Sequence, residues 1–308
     1  MAKKNWNVSD MPDLTGKVII VTGGNSGLGF ESVKAFAIKG AEVILTSRAM
    51  EKGEAARMEI NKSHPGGNIV VKTLDLMDFA SIKDFVQEFK DKYDRLDVLV
   101  NNAGIMTTPY FLTKDGLEAQ NGTNHFGHFA LTGQLLDLIK KTPGSRVVNV
   151  SSNAHKYGKM DFENFLFEQG EGYTPMKSYG RSKLANLLFT YELQRLFEAN
   201  GYKAISVAAH PGASRTNLAR FLEKKWWFTL LFPLFYPFTQ DQAQGALPQI
   251  RASVDPDVQG GEYYGPNGSG EMKGDPVRVQ SNKASRDVDD ARKLWEISEE
   301  LTSITYQF

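Results

Sequence analysis

The sequence predicts an α/β fold, in which helices cover both faces of a doubly wound, parallel sheet. Three observations predict it: short continuous apolar runs, helical stretches between them, and a glycine-rich turn after the first run. Strands buried on both faces appear as continuous apolar runs, and regular alternation of strands and helices is typical of a doubly wound sheet. No linker rich in Pro, Gly or Ser divides the 308 residues, so we predict a single domain.

The predicted elements alternate along the chain. The strands are expected at 17–21, 42–46, 69–74, 98–100, 146–150 and 204–209, with an edge strand at 262–264. The helices have apolar residues at helical spacing and are expected at 30–39, 50–62, 81–93, 124–140, 179–197 and 287–304. Two segments, 154–175 and 214–240, are predicted insertions.

Composition excludes several classes of function. Lys plus Arg and Asp plus Glu are both 36, so the chain has no field that would attract nucleic acid. It has no cysteine, which excludes thiol nucleophiles and cysteine-ligated metals. The two lysines near the N-terminus precede no apolar run, so this segment does not resemble a signal peptide. We therefore predict a cytoplasmic protein.

A glycine-rich turn, residues 22–29, connects the first predicted strand to the first predicted helix. Its glycines let backbone N–H groups approach a pyrophosphate, whose charge is favoured by the start of the helix. Because the turn lies between a strand and a helix, it is typical of a Rossmann-type dinucleotide site; an ordinary turn is the alternative. The predicted cofactor-binding residues of this turn are Gly23, Asn25, Ser26, Gly27, Leu28 and Gly29.

An arginine follows the second predicted strand, nineteen residues after Gly29. An acidic residue there would accept hydrogen bonds from the ribose of NAD, whereas an arginine complements the 2′-phosphate of NADP. Arg48 therefore favours NADP(H), and a solvated surface arginine is the alternative. Asp75, at the end of the third predicted strand, is placed to reach the adenine amino group.

A tyrosine and a lysine, four residues apart, open the long predicted helix. Tyr179 and Lys183 therefore share one helix face. A free tyrosine has a pKa near ~10, and a nearby ammonium lowers it by favouring the phenolate. Such a tyrosine can pass a proton to or from an alcohol oxygen. The pair alone is a frequent coincidence, so its meaning depends on the motifs around it.

Seven short motifs occur in a characteristic order. They are TGGNSGLG at 22–29, LDL at 74–76, NNAG at 101–104, NHFG at 124–127, VSS at 150–152, YGRSK at 179–183 and HPG at 210–212. With them, the chain resembles the short-chain dehydrogenase/reductase family over about residues 14–265. The resemblance implies a single Rossmann-type domain that binds NAD(P) and interconverts alcohols and carbonyls.

The resemblance also implies a role for each residue that matches a motif. Tyr179 is expected to be the catalytic acid/base, and Lys183 to bind the nicotinamide ribose and lower the pKa of Tyr179. Ser152 is expected to hold the substrate oxygen, and Asn124 to anchor a water that relays protons to Lys183. The further residues expected to border the cofactor are Leu76, Asn102, Ala103, Gly104, Pro211, Gly212 and Thr216.

Two features of the sequence bear on the geometry of the expected site. Ser151 is the alternative to Ser152, because neighbouring strand residues point to opposite faces; the resemblance favours Ser152. Ser152 and Tyr179 are 27 residues apart, longer than is usual in the family, so the insertion at 154–175 should loop out near the site. This gap resembles the branch of retinol dehydrogenases and protochlorophyllide reductases. The light-driven pigment enzymes rely on a cysteine, which disfavours that alternative here.

Three histidines near these motifs are expected to be structural. His125 and His128 lie three residues apart and could ligate a metal. No carboxylate partner is evident, so buried supporting roles are favoured and no metal is predicted. His210 precedes Pro211 at a strand end and is expected to be structural rather than a general base.

The intact set of Asn124, Ser152, Tyr179 and Lys183 favours an enzyme. A regulatory NADP(H)-binding protein on the same fold, the alternative, would be free to lose Tyr179 or Lys183. Carbonyl reduction is the preferred direction because cytosolic NADP pools favour it. The resemblance further implies dimers or tetramers, formed through the helices that contain Asn124 and Tyr179.

An uncharged apolar run, WWFTLLFPLFYPF, occupies residues 226–238. The family places a mobile substrate lid here, and a lid must exclude water. The run is too short to span a bilayer and is interrupted by two prolines. We predict a lid for a bulky lipophilic alcohol or carbonyl; a core segment and shallow peripheral membrane contact are the alternatives. The predicted lid residues are Trp226, Trp227, Phe228 and Phe232.

Overall fold

The computed structural model describes residues 5–214 and 239–308, which form an eight-stranded sheet with helices on both faces. The strands are β1 (Val18–Val21), β2 (Glu42–Ser47), β3 (Ile69–Thr73), β4 (Val98–Asn101), β5 (Arg146–Val150), β6 (Ile205–Ala209), β7 (Tyr263–Pro266) and β8 (Pro276–Arg278). The helices are α1 (Gly27–Ile38), α2 (Met50–Ser63), α3 (Phe79–Lys92), α4 (Ala119–Asn121), α5 (Gly127–Gln134), α6 (Leu136–Lys141), α7 (Pro175–Ala199), α8 (Gln242–Val254) and α9 (Val288–Thr302). The predicted α/β fold with a doubly wound sheet is confirmed.

The strands lie in the order β3-β2-β1-β4-β5-β6-β7-β8. Strands β1 to β7 run parallel, and β8 pairs antiparallel with β7 at the sheet edge. The direction of strand order reverses between β1 and β4. Ligands of such sheets bind beyond the carboxyl ends of the strands at this reversal. The glycine-rich turn follows β1 and the Asn-Asn-Ala-Gly motif begins at the end of β4, so both lie at this place.

Side chains of the sheet alternate between two cores, one on each face. In β1, Ile19 and Val21 belong to the first core, whereas Val18 and Ile20 belong to the second. The first core contains side chains of α1, α2 and α8, and the second contains side chains of α3, α5, α6 and α7. This burial on both faces explains the continuous apolar runs in the sequence.

The helix predicted over 124–140 is interrupted in the structure. A π-helical turn covers Gly122–Phe126, α5 follows it, and Leu135 separates α5 from α6. The backbone at Gly122 packs closely on Thr113, whose Cγ2 would lie 2.5 Å from a Cβ there. Such turns are rare in proteins overall, and many of those that occur lie at functional sites. This one contains Asn124. The spacing of apolar residues cannot reveal it, because a π-helical turn adds only one residue to the turn of a helix.

The second half of the chain contains two further differences from the prediction. Helix α7 starts at Pro175, before the predicted residue 179, and the Thr174 hydroxyl caps it by accepting from Lys177 N at 3.2 Å. Threonine followed by proline is a recognised helix start. Helix α8 was not predicted, because Pro248 in its interior argues against a helix. Strand β8 was also missed.

The C-terminal segment, α9 and residues 303–308, covers α5 and α7. The Tyr306 hydroxyl donates to Phe129 O at 2.7 Å, and their ring centroids lie 4.7 Å apart. Trp295 of α9 packs on Phe129 and on Phe189 of α7, at 5.2 and 5.7 Å. The chain's own C-terminal segment therefore occupies part of the surface on which the resemblance places a dimer contact.

Replacing Tyr306 by Ala should lower the free energy of unfolding by about 3 kcal/mol, because a buried aromatic ring and its hydroxyl contact are lost. Chemical denaturation followed by fluorescence measures this change. Tyr157, which is 79% exposed, is the matched control, and Tyr157→Ala should change stability by less than about 0.5 kcal/mol. Equal effects of the two substitutions would contradict a stabilising role for the C-terminal segment.

Candidate active site

A cleft of about 840 Å³ lies at the carboxyl ends of the strands. Among its lining residues are Gly23, Asn25, Ser26, Gly27, Leu28, Gly29, Arg48, Asp75, Leu76, Asn102, Ala103, Gly104, Tyr179, Lys183 and Pro211. The structure therefore brings most of the predicted cofactor residues to one cavity. Thr216, Trp226, Trp227, Phe228 and Phe232 lie outside the described residues.

The glycine-rich turn has the form that a pyrophosphate needs. Gly23 and Gly27 have φ values of +64° and +60°, which favour glycine. At Gly29 a Cβ would lie 2.6 Å from Asn102 Nδ2 and would also clash with the Gly23 carbonyl. No side chain caps α1 from its N-cap residue Ser26. The first amides of α1 are thus available to an anion, and the turn fits a dinucleotide phosphate.

Two cations line the end of the cleft beside β2 and α2. Arg48 is exposed, and its Nη1 contacts Met77 Sδ at 4.0 Å. Lys52, in the first turn of α2, lines the same end and was missed by the sequence prediction. Asp75 accepts from Met77 N at 3.0 Å through Oδ1. Its carboxylate thereby also fixes the turn after β3.

Thr22 joins the glycine-rich turn to the segment after β4. Its hydroxyl oxygen accepts from Asn102 N and Ala103 N, both at 2.9 Å. The Asn102 amide group donates to Thr22 O at 2.7 Å and accepts from Gln249 Nε2 of α8 at 3.0 Å. The Asn102 side chain is therefore a clamp between β1, β4 and α8. Thr22 and Gln249 were not predicted as site residues, because their partners are distant in sequence.

The π-helical turn orients Asn124 between the cleft and α7. Its Oδ1 accepts from Ile105 N at 2.9 Å, and its Nδ2 donates to Ile105 O at 3.0 Å and to Ser182 Oγ at 2.9 Å. A Cβ on Gly104 would lie 3.2 Å from Asn124 Oδ1 and 3.6 Å from Lys183 Nζ. Asn124 thus joins the segment after β4 to the helix that carries Tyr179. The expected water relay is not tested by these contacts.

The histidines near this turn have structural partners. His128 Nδ1 donates to Asn124 O at 3.1 Å, so its Nε2 accepts the Thr22 hydroxyl at 2.9 Å. Burial lowers the pKa of His128 to about 3, so the ring is neutral. His125 Nε2 contacts Ser298 Oγ at 2.9 Å. Within the described ranges, no group of three ligating side chains is suited to a metal.

Tyr179 is buried and lines the cleft, and Ser152 lies close enough to act on its pKa. Ser151, the alternative, instead donates to Lys183 O at 2.8 Å, on the backbone of α7. The geometry therefore favours Ser152 as the partner of the reacting atoms. Ser152 Oγ also accepts from Ala154 N at 3.2 Å, which fixes its rotamer.

The electrostatics of Tyr179 differ from the expectation. Burial raises the pKa of Tyr179 to about 12, and the nearby Ser152 side chain opposes this rise. The expected lowering by Lys183 is not observed: Lys183 Nζ lies 5.8 Å from the Tyr179 ring centroid and donates to Val150 O at 2.9 Å. Burial also lowers the pKa of Lys183 to about 8. Desolvation by the surrounding fold thus dominates both groups.

Comparisons with known proteins identify relatives of this chain. The family model described as short chain dehydrogenase matches residues 17–166. Retinol dehydrogenase 12 of Mus musculus is 37% identical over 96% of this chain and 89% of its own length. Retinol dehydrogenase 11 of Homo sapiens is 39% identical over 94% of this chain and 87% of its own length. The WW domain-containing oxidoreductase of Gallus gallus is 38% identical over 94% of this chain and 69% of its own.

Solved structures with a similar fold agree with the architecture described above. An uncharacterized protein from Mycobacterium Paratuberculosis superposes with a TM-score of 0.82 at 37% identity, covering 99% of this chain and all of that one. The RhlG/NADP active-site complex of Pseudomonas aeruginosa has a TM-score of 0.64 at 21% identity, covering 82% of this chain and 94% of that chain, a likeness of fold alone. The chain therefore belongs to the short-chain dehydrogenase/reductase family, in its retinol dehydrogenase-like branch, and is an oxidoreductase of alcohol and carbonyl groups.

Proposed function

We propose that this oxidoreductase uses NADP(H) and reduces the carbonyl group of a bulky lipophilic substrate, with Tyr179 as the acid/base. One observation carries the proposal: a buried tyrosine, near Ser152 and one helix turn from Lys183, lines a cleft whose glycine-rich turn suits a dinucleotide. When bound, the nicotinamide supplies the hydride for reduction or accepts it for oxidation. The protein's part is to place the substrate and to move the proton.

The proton step follows from the positions of the side chains. The Tyr179 hydroxyl is protonated at neutral pH because burial raises its pKa to about 12. It can therefore donate to a carbonyl oxygen held between it and Ser152. Lys183 does not lower the pKa of Tyr179 in the structure, where its Nζ lies 5.8 Å from the ring centroid. We propose that its ammonium favours the phenolate that forms once a substrate is bound. Asn124 keeps α7 and the segment after β4 in register through Ile105 and Ser182.

The pH dependence of carbonyl reduction should follow the protonation state of Lys183. Its pKa is lowered to about 8, so the cation is present below pH 8 and is lost as the pH rises through this value. Tyr179 remains protonated throughout that range. The value of kcat/KM for carbonyl reduction should therefore be constant from pH 6 to about 7.5 and fall above an apparent pKa of about 8. A profile that stays level to pH 10 would remove the charged form of Lys183 from the mechanism.

Arg48 supports the preference for NADP(H). Its guanidinium is exposed at the cleft edge, and Lys52 adds a second cation there. Arg48→Ala should raise the Kd of NADPH by about 10- to 100-fold, because a charge-assisted contact to the 2′-phosphate is lost. Fluorescence titration measures this change. The Kd of NADH is the internal control and should stay within about twofold; a parallel loss for both cofactors would contradict a role in phosphate recognition.

The size of the substrate is proposed from two supports. Relatives named retinol dehydrogenase are 37% and 39% identical to this chain. The apolar segment 226–238 lies outside the described residues and follows the cleft residue Pro211 in the sequence. The lipophilic lid predicted for it from the sequence is part of this proposal. In the described ranges, no helix is long and apolar enough to cross a bilayer. We propose that the lid segment makes any membrane contact from the surface.

A screen of NADPH consumption tests the proposed function. Aldehydes and ketones graded by chain length and ring size should show activity that rises with apolar size. A flat size dependence would contradict the lipophilic pocket, and no turnover of any carbonyl or alcohol would contradict the function. Assembly into dimers or tetramers stays a prediction; a partner on α5 and α7 would have to bind beside or over α9.

A further inference from the structure

The insertion before Tyr179 packs directly on the helix that carries this residue. A Cβ on Gly180 would lie 3.1 Å from Ala154 O and 3.2 Å from Gly158 N. A Cβ on Gly158 would meet the Gly180 carbonyl and Leu184 Cβ. The two backbones thus approach so closely that both positions favour glycine. The first residue after Tyr179 in its motif is therefore a docking point for the insertion.

The second residue after Tyr179 is a buried cation that binds the insertion. Arg181 has no exposed surface. Its Nη1 donates to Asn164 O at 2.7 Å and Phe165 O at 2.6 Å, and its Nε donates to Lys159 O at 3.3 Å. A planar guanidinium suits this set of carbonyls, and a lysine ammonium could not reproduce its fork. Arg181 therefore fixes the course of the chain between residues 159 and 165.

Aromatic contacts extend from Arg181 to the end of the insertion. The Arg181 guanidinium lies 4.2 Å from the centroid of the Phe167 ring. Phe167 is fully buried, and its ring meets that of Tyr173 at 5.4 Å in an edge-to-face arrangement. Stacking of a guanidinium on a ring and edge-to-face packing are both favourable. A continuous set of contacts thus joins the Tyr179 motif to Tyr173.

Tyr173 in turn holds a strained turn at the cleft wall. Its hydroxyl donates to Thr108 O at 2.8 Å and accepts from Gln120 Nε2 at 3.0 Å. The other end of the same amide, Gln120 Oε1, accepts from Thr107 N at 2.8 Å. Thr107 has a φ of +53°, which costs free energy for a β-branched residue. Such a conformation persists only where neighbours enforce it, and here they are Gln120 and Tyr173.

The residues just before this turn line the cleft that contains Tyr179. Ile105 and Met106 line the same cleft as Tyr179. Asn124 holds Ile105 from one side, through two hydrogen bonds. The turn at Thr107 and Thr108 fixes the exit of this segment from the other side. A shift of the turn would therefore move Met106 within the space open to a substrate.

We propose that Arg181 is a positioning residue for substrate size: through Phe167 and Tyr173 it holds the turn at Thr107 and Thr108, and with it the Ile105–Met106 wall of the cleft. This inference rests on the proposed oxidoreductase function. It assigns to the interior of the Tyr-x-x-x-Lys motif a role that neither proton transfer nor cofactor binding requires. In the part of the chain that the structure describes, the hydrogen bonds and ring contacts of the Arg181 side chain all go to the insertion, so it acts through the insertion.

Two conservative variants test the proposal at opposite ends of the contact set. Arg181→Lys keeps the charge but loses the fork, and Tyr173→Phe removes only the hydroxyl. Each should raise KM for a bulky ring-containing aldehyde by about tenfold. The value of kcat for a short aldehyde and the Kd of NADPH should each change by less than about twofold. Arg195→Lys and Tyr191→Phe, on the same helix α7, are the matched controls and should leave all three values unchanged.

The double variant shows whether Arg181 and Tyr173 act on the cleft wall through one shared set of contacts or cause two separate local defects. In the double variant Arg181→Lys/Tyr173→Phe, KM for the bulky aldehyde should rise by about tenfold, as in each single variant, rather than by about a hundredfold. Multiplicative effects would overturn the proposal. Equal losses of kcat for both aldehydes, or a weaker Kd for NADPH, would also overturn it, because they indicate general damage to the fold.

Hydrogen exchange keeps the inference testable apart from the proposed function. Amides of residues 105–110 should exchange faster in both variants than in the wild type and in the two controls. Unchanged exchange there would overturn the inference even if the enzyme is active. If the wild type reduces no carbonyl but the exchange result holds, the proposed function fails and the positioning of the wall by Arg181 stands.

Discussion

Replacing Tyr179 by Phe should lower kcat for carbonyl reduction by about a thousandfold, because the proton donor to the substrate oxygen is lost. The hydroxyl is the only difference between the two side chains, and the ring should keep its buried place beside Lys183. Ser152 can still hold the carbonyl oxygen, but it cannot release a proton as readily. Steady-state kinetics with the best substrate of the carbonyl screen measures the loss.

Cofactor binding and a second tyrosine provide the controls. The Kd of NADPH should stay within about twofold in Tyr179→Phe, because Arg48 and the glycine-rich turn lie at the other end of the cleft. Tyr191, also on α7, donates or accepts a hydrogen bond with Ser281 at 2.8 Å, away from the cleft. Tyr191→Phe should therefore retain activity. Full activity of Tyr179→Phe would exclude Tyr179 as the acid.

The sequence predicted those parts of the site that depend on local geometry. Gly23, Gly27 and Gly29 occupy a turn between a strand and a helix, and Tyr179 and Lys183 lie one helix turn apart. Such relations are fixed by residue spacing, so the order of the motifs sufficed to place them in one cleft. The parallel sheet then brings the turns after β1, β4 and β5 together, because parallel strands end at the same edge.

The parts that escaped prediction depend on contacts between distant segments. Thr22 meets His128 and Gln249 meets Asn102 only after the sheet and α8 have assembled. No role was predicted for Arg181, because nothing in the sequence marks Phe167 as its partner. The pKa of Tyr179 was expected to fall because Lys183 is near. It rises because burial, which no spacing rule reports, disfavours the phenolate, and Lys183 is not among the groups that lower it.

Replacing Lys183 by Met should lower kcat by about a hundredfold or more while making the protein more stable at neutral pH. The pKa of Lys183 falls from 10.5 to about 8 by burial, so folding at pH 7 buries a charge at a cost of about 3 kcal/mol. Methionine removes that cost of about 3 kcal/mol. The lost hydrogen bond to Val150 O lowers the resulting gain in stability by about 1 kcal/mol. Asn186 Nδ2 still donates to Val150 O at 3.1 Å. The net gain should be about 2 kcal/mol.

The pH dependence of this gain has a definite sign. Below pH 8 Lys183 is charged in both the folded and unfolded states, so the cost is fully present and the gain from methionine is largest. Between pH 8 and 10.5 the folded protein loses this proton before the unfolded chain does, so the wild type recovers stability and the gain fades. Denaturation curves of both proteins at pH 7 and pH 10 measure the change. Lys203→Met, at an exposed lysine outside the cleft, should show no pH-dependent difference. An unfolding free energy for Lys183→Met that is lower than that of the wild type at pH 7 would show that Lys183 contributes to stability rather than costing it.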